Sequence, residues 1–363
     1  MDAWESIERE LVDVKTNSWT SILQIYGAIK SLVYISEVLP LSILSQVVQP
    51  KRKNINSKDI KKLQLILAEL WLLIQKDSER IAAGIYPSTV LKPELSFGHL
   101  GQIFRIWIDG YREQLQRNRK NRKVDLDIED LEALRDVPDY YRQHNSYSGN
   151  GFIDRKAASL YEHQMELLFI GAMDAMRRLI LAPLKKAFRY SEGEGLRFLE
   201  IGCGEGRMTR FIKIAFPKAK IVVLDASSVY LKEAQKNLMK YRRIDFIQGD
   251  ALDLPFKNCH FDVVYSSFIL HEMPIDKRRR VLVEAYRVLN KKGLLGIVDL
   301  IQFDDCREMN WVLEQPWLVK EKPHIKEYAS NSTSGLFQHL GLEQITIERG
   351  FLGKSVIGLK AID

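Results

Sequence analysis

Cysteine is scarce in this 363-residue chain: Cys203, Cys259 and Cys306 are too few and too scattered for a disulfide framework or a zinc cluster. No metal site is expected from them. The start, Met1-Asp-Ala-Trp-Glu, lacks the basic flank and apolar stretch of an export leader. Long hydrophobic runs are also missing. The longest apolar region, Ile22 to Val48, is interrupted by Lys30, Glu37 and Pro40, so it makes a poor membrane span. A cytoplasmic protein is the simplest expectation.

A charge imbalance is missing too. The net charge of +7 divides into +4 over residues 1–190 and +3 over 191–363. A nucleic-acid enzyme more often gathers its positive charge on one face or one half. Even spreading favours a solvated surface, so no nucleic-acid partner is expected. The basic run Arg117–Lys123 is followed at once by the acidic stretch Asp125–Asp130. It reads either as a polyanion contact or, preferably, as an exposed inter-domain loop. The basic cluster Lys51–Lys62 reads the same way.

What is present divides into three parts, and 363 residues exceed one comfortable core. From Trp4 to about Gln116, apolar residues recur every three or four positions, as in Ile22, Ile25, Ile29, Leu32 and Val33, and again from Leu63 to Ile74. That period predicts helices with one buried face, about four of them. A helical domain over 1–124 follows. The stretch 125–190 bridges onward through an aromatic, glycine-punctuated turn into a single long helix from Arg155 to about Leu181. From Leu196, short β-branched runs alternate with helical ones: Arg197–Ile201, Ile221–Leu224, Ile244–Gln248, Val263–Tyr265 and Leu294–Asp299. Strict alternation predicts an α/β domain over 191–363, a parallel sheet with helices on both faces.

The strongest motif is Leu199-Glu200-Ile201-Gly202-Cys203-Gly204-Glu205-Gly206, which follows a strand and opens a helix. Glycines at 202 and 204 let the backbone turn sharply and let a ligand approach without a Cβ in the way. The next strand ends in Leu224-Asp225-Ala226, where a carboxylate can accept hydrogen bonds from ribose hydroxyls. NAD sites share this much. The dinucleotide pattern, however, wants Gly or Ala at 207, where Arg207 stands, and Glu200 would repel a pyrophosphate. A carboxylate at 200 suits the cationic amino-acid end of another nucleoside. Cys203 reads as a small loop residue rather than a nucleophile.

Leu199–Gly206 resembles motif I of the class I S-adenosylmethionine (SAM)-dependent methyltransferases. Later motifs follow in the family's order. Gly249-Asp250-Ala251 resembles the segment where an acid faces the adenine amino group. Phe261-Asp262-Val-Val-Tyr265-Ser266-Ser267 resembles the fourth strand, whose end lines the active site. Arg287–Gly293 resembles the structural turn "R-V-L-K-P-G-G", with Asn290, Lys291 and Lys292 as departures. The match covers about 110 residues and looks most like the ubiquinone/menaquinone-biosynthesis-type enzymes that act on small molecules. The resemblance implies a Rossmann-like seven-stranded sheet with the last strand antiparallel, for which Glu343–Glu348 and Ser355–Ile362 are candidates. It implies SAM as cofactor, with S-adenosylhomocysteine as product. It assigns cofactor contacts to Glu200, Gly202, Cys203, Gly204, Gly206, Asp225, Ala226, Asp250, Ala251, Ser266 and Ser267.

The family also points to residues for the acceptor. His271, just past the fourth strand, lies beside the expected transfer site, and some small-molecule O-methyltransferases with a helical N-terminal domain use such a histidine as base. An unperturbed pKa near 6.5 suits that role. Other members carry the histidine without it. A segment preceding motif I often closes as a lid, which brings Tyr140, Tyr141 and Tyr147 forward as candidates for acceptor stacking. Packing between domains explains them equally well. The insertion Phe303–Ser330, with Trp311, Trp317, His324 and Tyr328, falls where loops carry specificity.

Several functions compete. The reading preferred is methyl transfer to a small, ring-containing apolar metabolite or natural product, on oxygen or nitrogen, with the N-terminal helices covering the acceptor or joining a second copy. An RNA or protein methyltransferase is weakened by the dispersed charge and by Ser266-Ser267-Phe268, where a base-gripping Asn/Asp-Pro-Pro-aromatic motif would stand. A non-catalytic SAM-binding interaction module is the third reading.

Overall fold

The computed structural model describes residues 17–48, 56–92, 137–138 and 155–362. The chain divides into two compact units, Met1–Asp125 with Leu160–Ala175, and Leu126–Ser159 with Met176–Asp363.

In the first unit, α1 (Asn17–Val48) and α2 (Ser57–Ala82) pack together. Asn56 starts α2 through a reciprocal cap: its side chain accepts from the Asp59 amide, and the Asp59 carboxylate accepts from the Asn56 amide. Leu70, Leu73, Ile74 and Ile81 form the buried stripe of α2. The helices approach closely at Gly27, where a Cβ would stand 2.7 Å from Ile74. Buried charges are paired. Lys30 bridges Glu166 (2.7 Å) and Asp174 (3.5 Å), while His163 lies 2.8 Å from Glu37. Much of the apolar surface stays open, however. Trp19, Ile22, Ile25, Ile29, Leu32 and Val33 of α1, and Ile60, Leu63, Leu67, Trp71 and Leu72 of α2, are exposed.

The single helix expected from Arg155 to about Leu181 is instead three: α3 (Arg155–Leu168), α4 (Met173–Arg178) and α5 (Leu181–Ala187). Ile170 and Gly171 take left-handed backbone, φ 48° and 82°, which ends α3. Glu166 folds back to accept from the Met173 and Asp174 amides, satisfying the first turn of α4.

The second unit holds one seven-stranded sheet in the order β3-β2-β1-β4-β5-β7-β6. In chain order come β1 (Arg197–Ile201), α6 (Arg207–Ala215), β2 (Lys220–Asp225), α7 (Ser228–Leu238), β3 (Ile244–Gln248) and β4 (Phe261–Ser267). There follow α8 (Ile275–Val288), β5 (Leu289–Leu300) and four short helices, α9 (Asn310–Leu313), α10 (Pro316–Glu321), α11 (Ile325–Ser330) and α12 (Thr333–His339). The last strands are β6 (Leu342–Gly350) and β7 (Gly353–Lys360). The first five strands are parallel; β7 runs antiparallel to both β5 and β6. Covered on both faces, β1 and β2 are buried along nearly their whole length and read as continuous apolar runs. Chain order reverses at β1, between β2 and β4. Sheets of this kind bind ligands in a crevice outside the carboxyl ends of the strands at such a switch point.

Candidate functional site

The crevice is floored by the loop after β1. Gly202, Gly204 and Gly206 all have positive φ, 71°, 54° and 86°. A Cβ at 202 would press within 2.8 Å of Ile269, and one at 206 within 2.6 Å of Leu238. Above Gly204 the nearest atom to a Cβ is 3.9 Å away, on Tyr230, so a ligand can approach the backbone there.

Hydrogen bonds from the neighbouring strand ends hold this loop in shape. The amides of Gly202 and Cys203 donate to the Leu224 carbonyl at 2.8 and 3.1 Å. The carboxylate of Asp225 accepts from the Gly204 amide at 2.8 Å and from the Ser227 amide at 2.9 Å. The Gly249 amide reaches the Asp225 carbonyl, and Gln248 donates to the Ala226 carbonyl. Asp250 accepts from the Leu252 amide, with Ala251 buried beside it. Glycine loop, Asp225 and Asp250 thus share one rim. Cys203 is buried, and burial pushes its thiol well above the usual range, which leaves it unfit as a nucleophile.

Glu200 lies beneath the loop rather than on it. It is 0% exposed, and its Oε2 accepts from Thr209 of α6 and from the Tyr265 hydroxyl of β4 at 3.0 Å. Glu200 pairs with Tyr265 in the β1–β4 register, which puts both side chains on one face. Burial drives its pKa up to about 8 against the pull of those two hydroxyls and of Arg177. Burial thus favours the neutral acid over the expected carboxylate.

At the end of β4, Ser266 is buried and its hydroxyl finds no hydrogen-bond partner among the described residues. Phe268 turns the chain with a left-handed φ of 56°. The Arg177 guanidinium sits 6.0 Å from its ring centroid. His271 is buried just beyond, its Nδ1 2.7 Å from Asp299 of β5 and its Nε2 3.4 Å from Glu272. Burial alone would lower its pKa. The carboxylates of Asp299 and Glu272 outweigh that and raise it to about 9. The two carboxylates thus favour the imidazolium over the free base.

The insertion helices close on the same turn. Lys322, after α10, pairs with Glu272, and Glu327 of α11 accepts from buried Arg278 at 2.8 Å. Tyr328 is buried with its ring 6.2 Å from His271, and its hydroxyl donates to the Leu300 carbonyl. The side chain of Trp317 and all of Tyr140, Tyr141 and Tyr147 lie outside the described residues. Thr209, Tyr265, Asp299, Glu272 and Lys322 were not singled out from sequence. Only Asp299 carried a signal, an acid closing an apolar strand.

Residues 198–293 match the family described as "methyltransferase domain". An uncharacterized methyltransferase of Synechocystis is 34% identical over 125 residues, 34% of this chain and 54% of that protein. The demethylmenaquinone methyltransferase of Thermotoga maritima is 38% identical over 105 residues, 29% of this chain and 44% of that protein. The 2-phytyl-1,4-beta-naphthoquinone methyltransferase of Arabidopsis thaliana is 28% identical over 169 residues, 42% of this chain and 63% of that protein. The segment is a class I SAM-dependent methyltransferase domain. Its chain spans only about half the length of these curated relatives. A solved O-methyltransferase family protein from Burkholderia thailandensis shares the fold, with a TM-score of 0.52 at 14% identity over 90% of this chain and 95% of that one.

The methyltransferase domain implies SAM, and the residues present fit it. Backbone at Gly204 is open to a ligand, and the Asp225 carboxylate stands beside it, accepting from the Gly204 amide. Two buried polar atoms without a hydrogen-bond partner among the described residues, Ser266 Oγ and Glu200 Oε1, stand at the same strand ends.

Proposed function

We propose that this chain transfers the methyl group of SAM to a small, ring-containing, largely apolar acceptor, on oxygen or nitrogen in preference to carbon. The observation that carries this reading is the glycine loop braced by Asp225 at the switch point of the sheet. Asp225, Gly202, Gly204 and the rim at Asp250 would hold the nucleoside, and the cofactor supplies an activated methyl on a sulfonium. What remains for the protein is orientation and exclusion of water, and orientation alone can contribute roughly 7–11 kcal/mol.

Two relatives named for quinone-ring substrates support a flat, apolar acceptor. So do the aromatic residues Phe268 and Tyr328 flanking His271. Carboxylates that favour the His271 cation make it a poor base, which suits an acceptor needing no deprotonation, such as a neutral amine or a readily ionised hydroxyl. The N-terminal helices then serve a second copy of the chain, a reading supported by eleven large apolar side chains exposed on α1 and α2. Among the described residues no helix is long and apolar enough to cross a membrane. Scarce cysteine supports a cytoplasmic setting.

Calorimetry with S-adenosylhomocysteine, followed by transfer of labelled methyl from SAM to a panel of quinols, phenols and aromatic amines, tests the proposal. Binding and label in a small molecule are the expected results. Label entering only tRNA or protein would move the function to those targets. Binding without transfer to any class would make the chain an interaction module.

A further inference from the structure

The acid beneath the glycine loop is unusual in being half satisfied. Glu200 Oε2 takes the hydroxyls of Thr209 and Tyr265, while Oε1 is buried with no hydrogen-bond partner among the described residues. The other groups facing it are Arg177 from α4, Asp225 from the tip of β2 and the Cys203 thiol in the loop. A carboxylate with one buried oxygen that receives no donor is expensive; a carboxylic acid there is much less so. Burial accordingly outweighs the two hydroxyls and Arg177 and lifts the group to about 8. The buried, unpartnered oxygen and the upward shift both favour a proton on Glu200 in the free protein.

We propose that Glu200 is a proton-holding site that discharges when the loop takes up SAM, so that cofactor binding and proton release are one event. This rests on the reading above that the loop holds SAM. The cofactor brings a sulfonium and an ammonium against one carboxylate, a net positive charge. A cation beside a buried acid favours the ionised form. The Glu200 O–H bond breaks, the proton passes to buffer, and the carboxylate stays behind as a counter-charge. By linkage, whatever lowers the proton's affinity must make SAM bind more tightly as pH rises. Tyr265 and Thr209 are then positioning residues: their donated bonds decide how readily the acid gives up its proton.

The test is titration calorimetry of the full chain with SAM at pH 7 in phosphate and in Tris, whose ionisation enthalpies differ widely. The slope of apparent enthalpy against ionisation enthalpy counts protons. We expect close to one proton released per SAM, and an affinity that climbs roughly tenfold between pH 6 and pH 7. The E200Q variant should bind SAM with no release and a flat pH dependence. Should E200Q fail to fold, Y265F keeps the acid, removes one donor and shifts the affinity–pH curve upward in pH. A zero slope in the native chain, or an unchanged slope in E200Q, overturns the inference while leaving the cofactor assignment intact. Failure to bind either SAM or S-adenosylhomocysteine removes both.

Discussion

The Nδ1 of His271 and the Oδ1 of Asp299 stand 2.7 Å apart, joining the turn after β4 to the tip of β5. The other oxygen of Asp299 accepts from the Leu270 amide at 2.8 Å and the His271 amide at 3.3 Å. One carboxylate thus fixes both the backbone of the turn and the ring it presents. Glu272 and Lys322 extend the pairing outward to the insertion helices. An imidazole held between two carboxylates is first an anchor for the turn after β4.

Removing the anchor should show first in stability. His271→Ala leaves the Asp299 carboxylate, 1% exposed, with backbone donors alone. A loss of about 2–3 kcal/mol is expected, read as a lower midpoint in urea. Methyl transfer to a neutral amine should persist at pH 7 in the fraction that folds. Complete loss of transfer in well-folded protein would restore the role of base.

The same pair makes a pH prediction with a definite sign. The folded pKa of His271, about 9, lies above its ordinary 6.5. Its contribution is therefore present in full below pH 6.5 and drains away as pH rises through 9. Glu272 works the other way: held near 2 against the burial that would raise it, chiefly by Lys322 and His271, it contributes above pH 4.5 and loses that as pH falls through 2. Imidazole proton shifts followed by NMR from pH 5 to 10 give the midpoint directly. A midpoint at or below 6.5 would contradict the pairing.

Local pattern made the strands legible, and non-local contacts explain what stayed hidden. The bounds of β1 and β3 coincide with the apolar runs that announced them. β4 and β5 begin earlier than their apolar runs, at starts carrying the polar residues Asp262 and Asn290, which hydrogen-bond each other at 2.8 Å. The break at Ile170–Gly171 escaped notice because the apolar period continues on both sides of it. Glu200 was recognisable as an acid before the glycines. Its protonation was not, because Thr209 and Tyr265 reach it only once α6 and β4 are in place. Asp299 likewise becomes a partner of His271 through the pairing of β4 with β5.

Gly206→Ala tests the loop's backbone. The residue has φ 86°, and its new methyl would stand 2.6 Å from Leu238. Left-handed backbone and overpacking together should cost about 2–4 kcal/mol. Adding Leu238→Ala should relieve the steric share, at the expense of a cavity, but not the conformational share. If Gly206→Ala alone unfolds at the native denaturant midpoint, the tight approach of loop and α7 is wrong.

Asp225→Ala addresses binding rather than folding. The Asp225 carboxylate braces the loop through the Gly204 and Ser227 amides and, on the proposed reading, also holds the nucleoside. Loss of both functions should weaken S-adenosylhomocysteine binding by about 1.5–3 kcal/mol, on the order of ten- to a hundredfold in affinity. Asp225→Asn keeps one acceptor oxygen, and the amide it gains cannot accept, so an intermediate loss is expected. The graded order native, Asn, Ala in calorimetric affinity would tie the effect to hydrogen bonds. Equal affinity in all three would place the nucleoside somewhere other than the tip of β2.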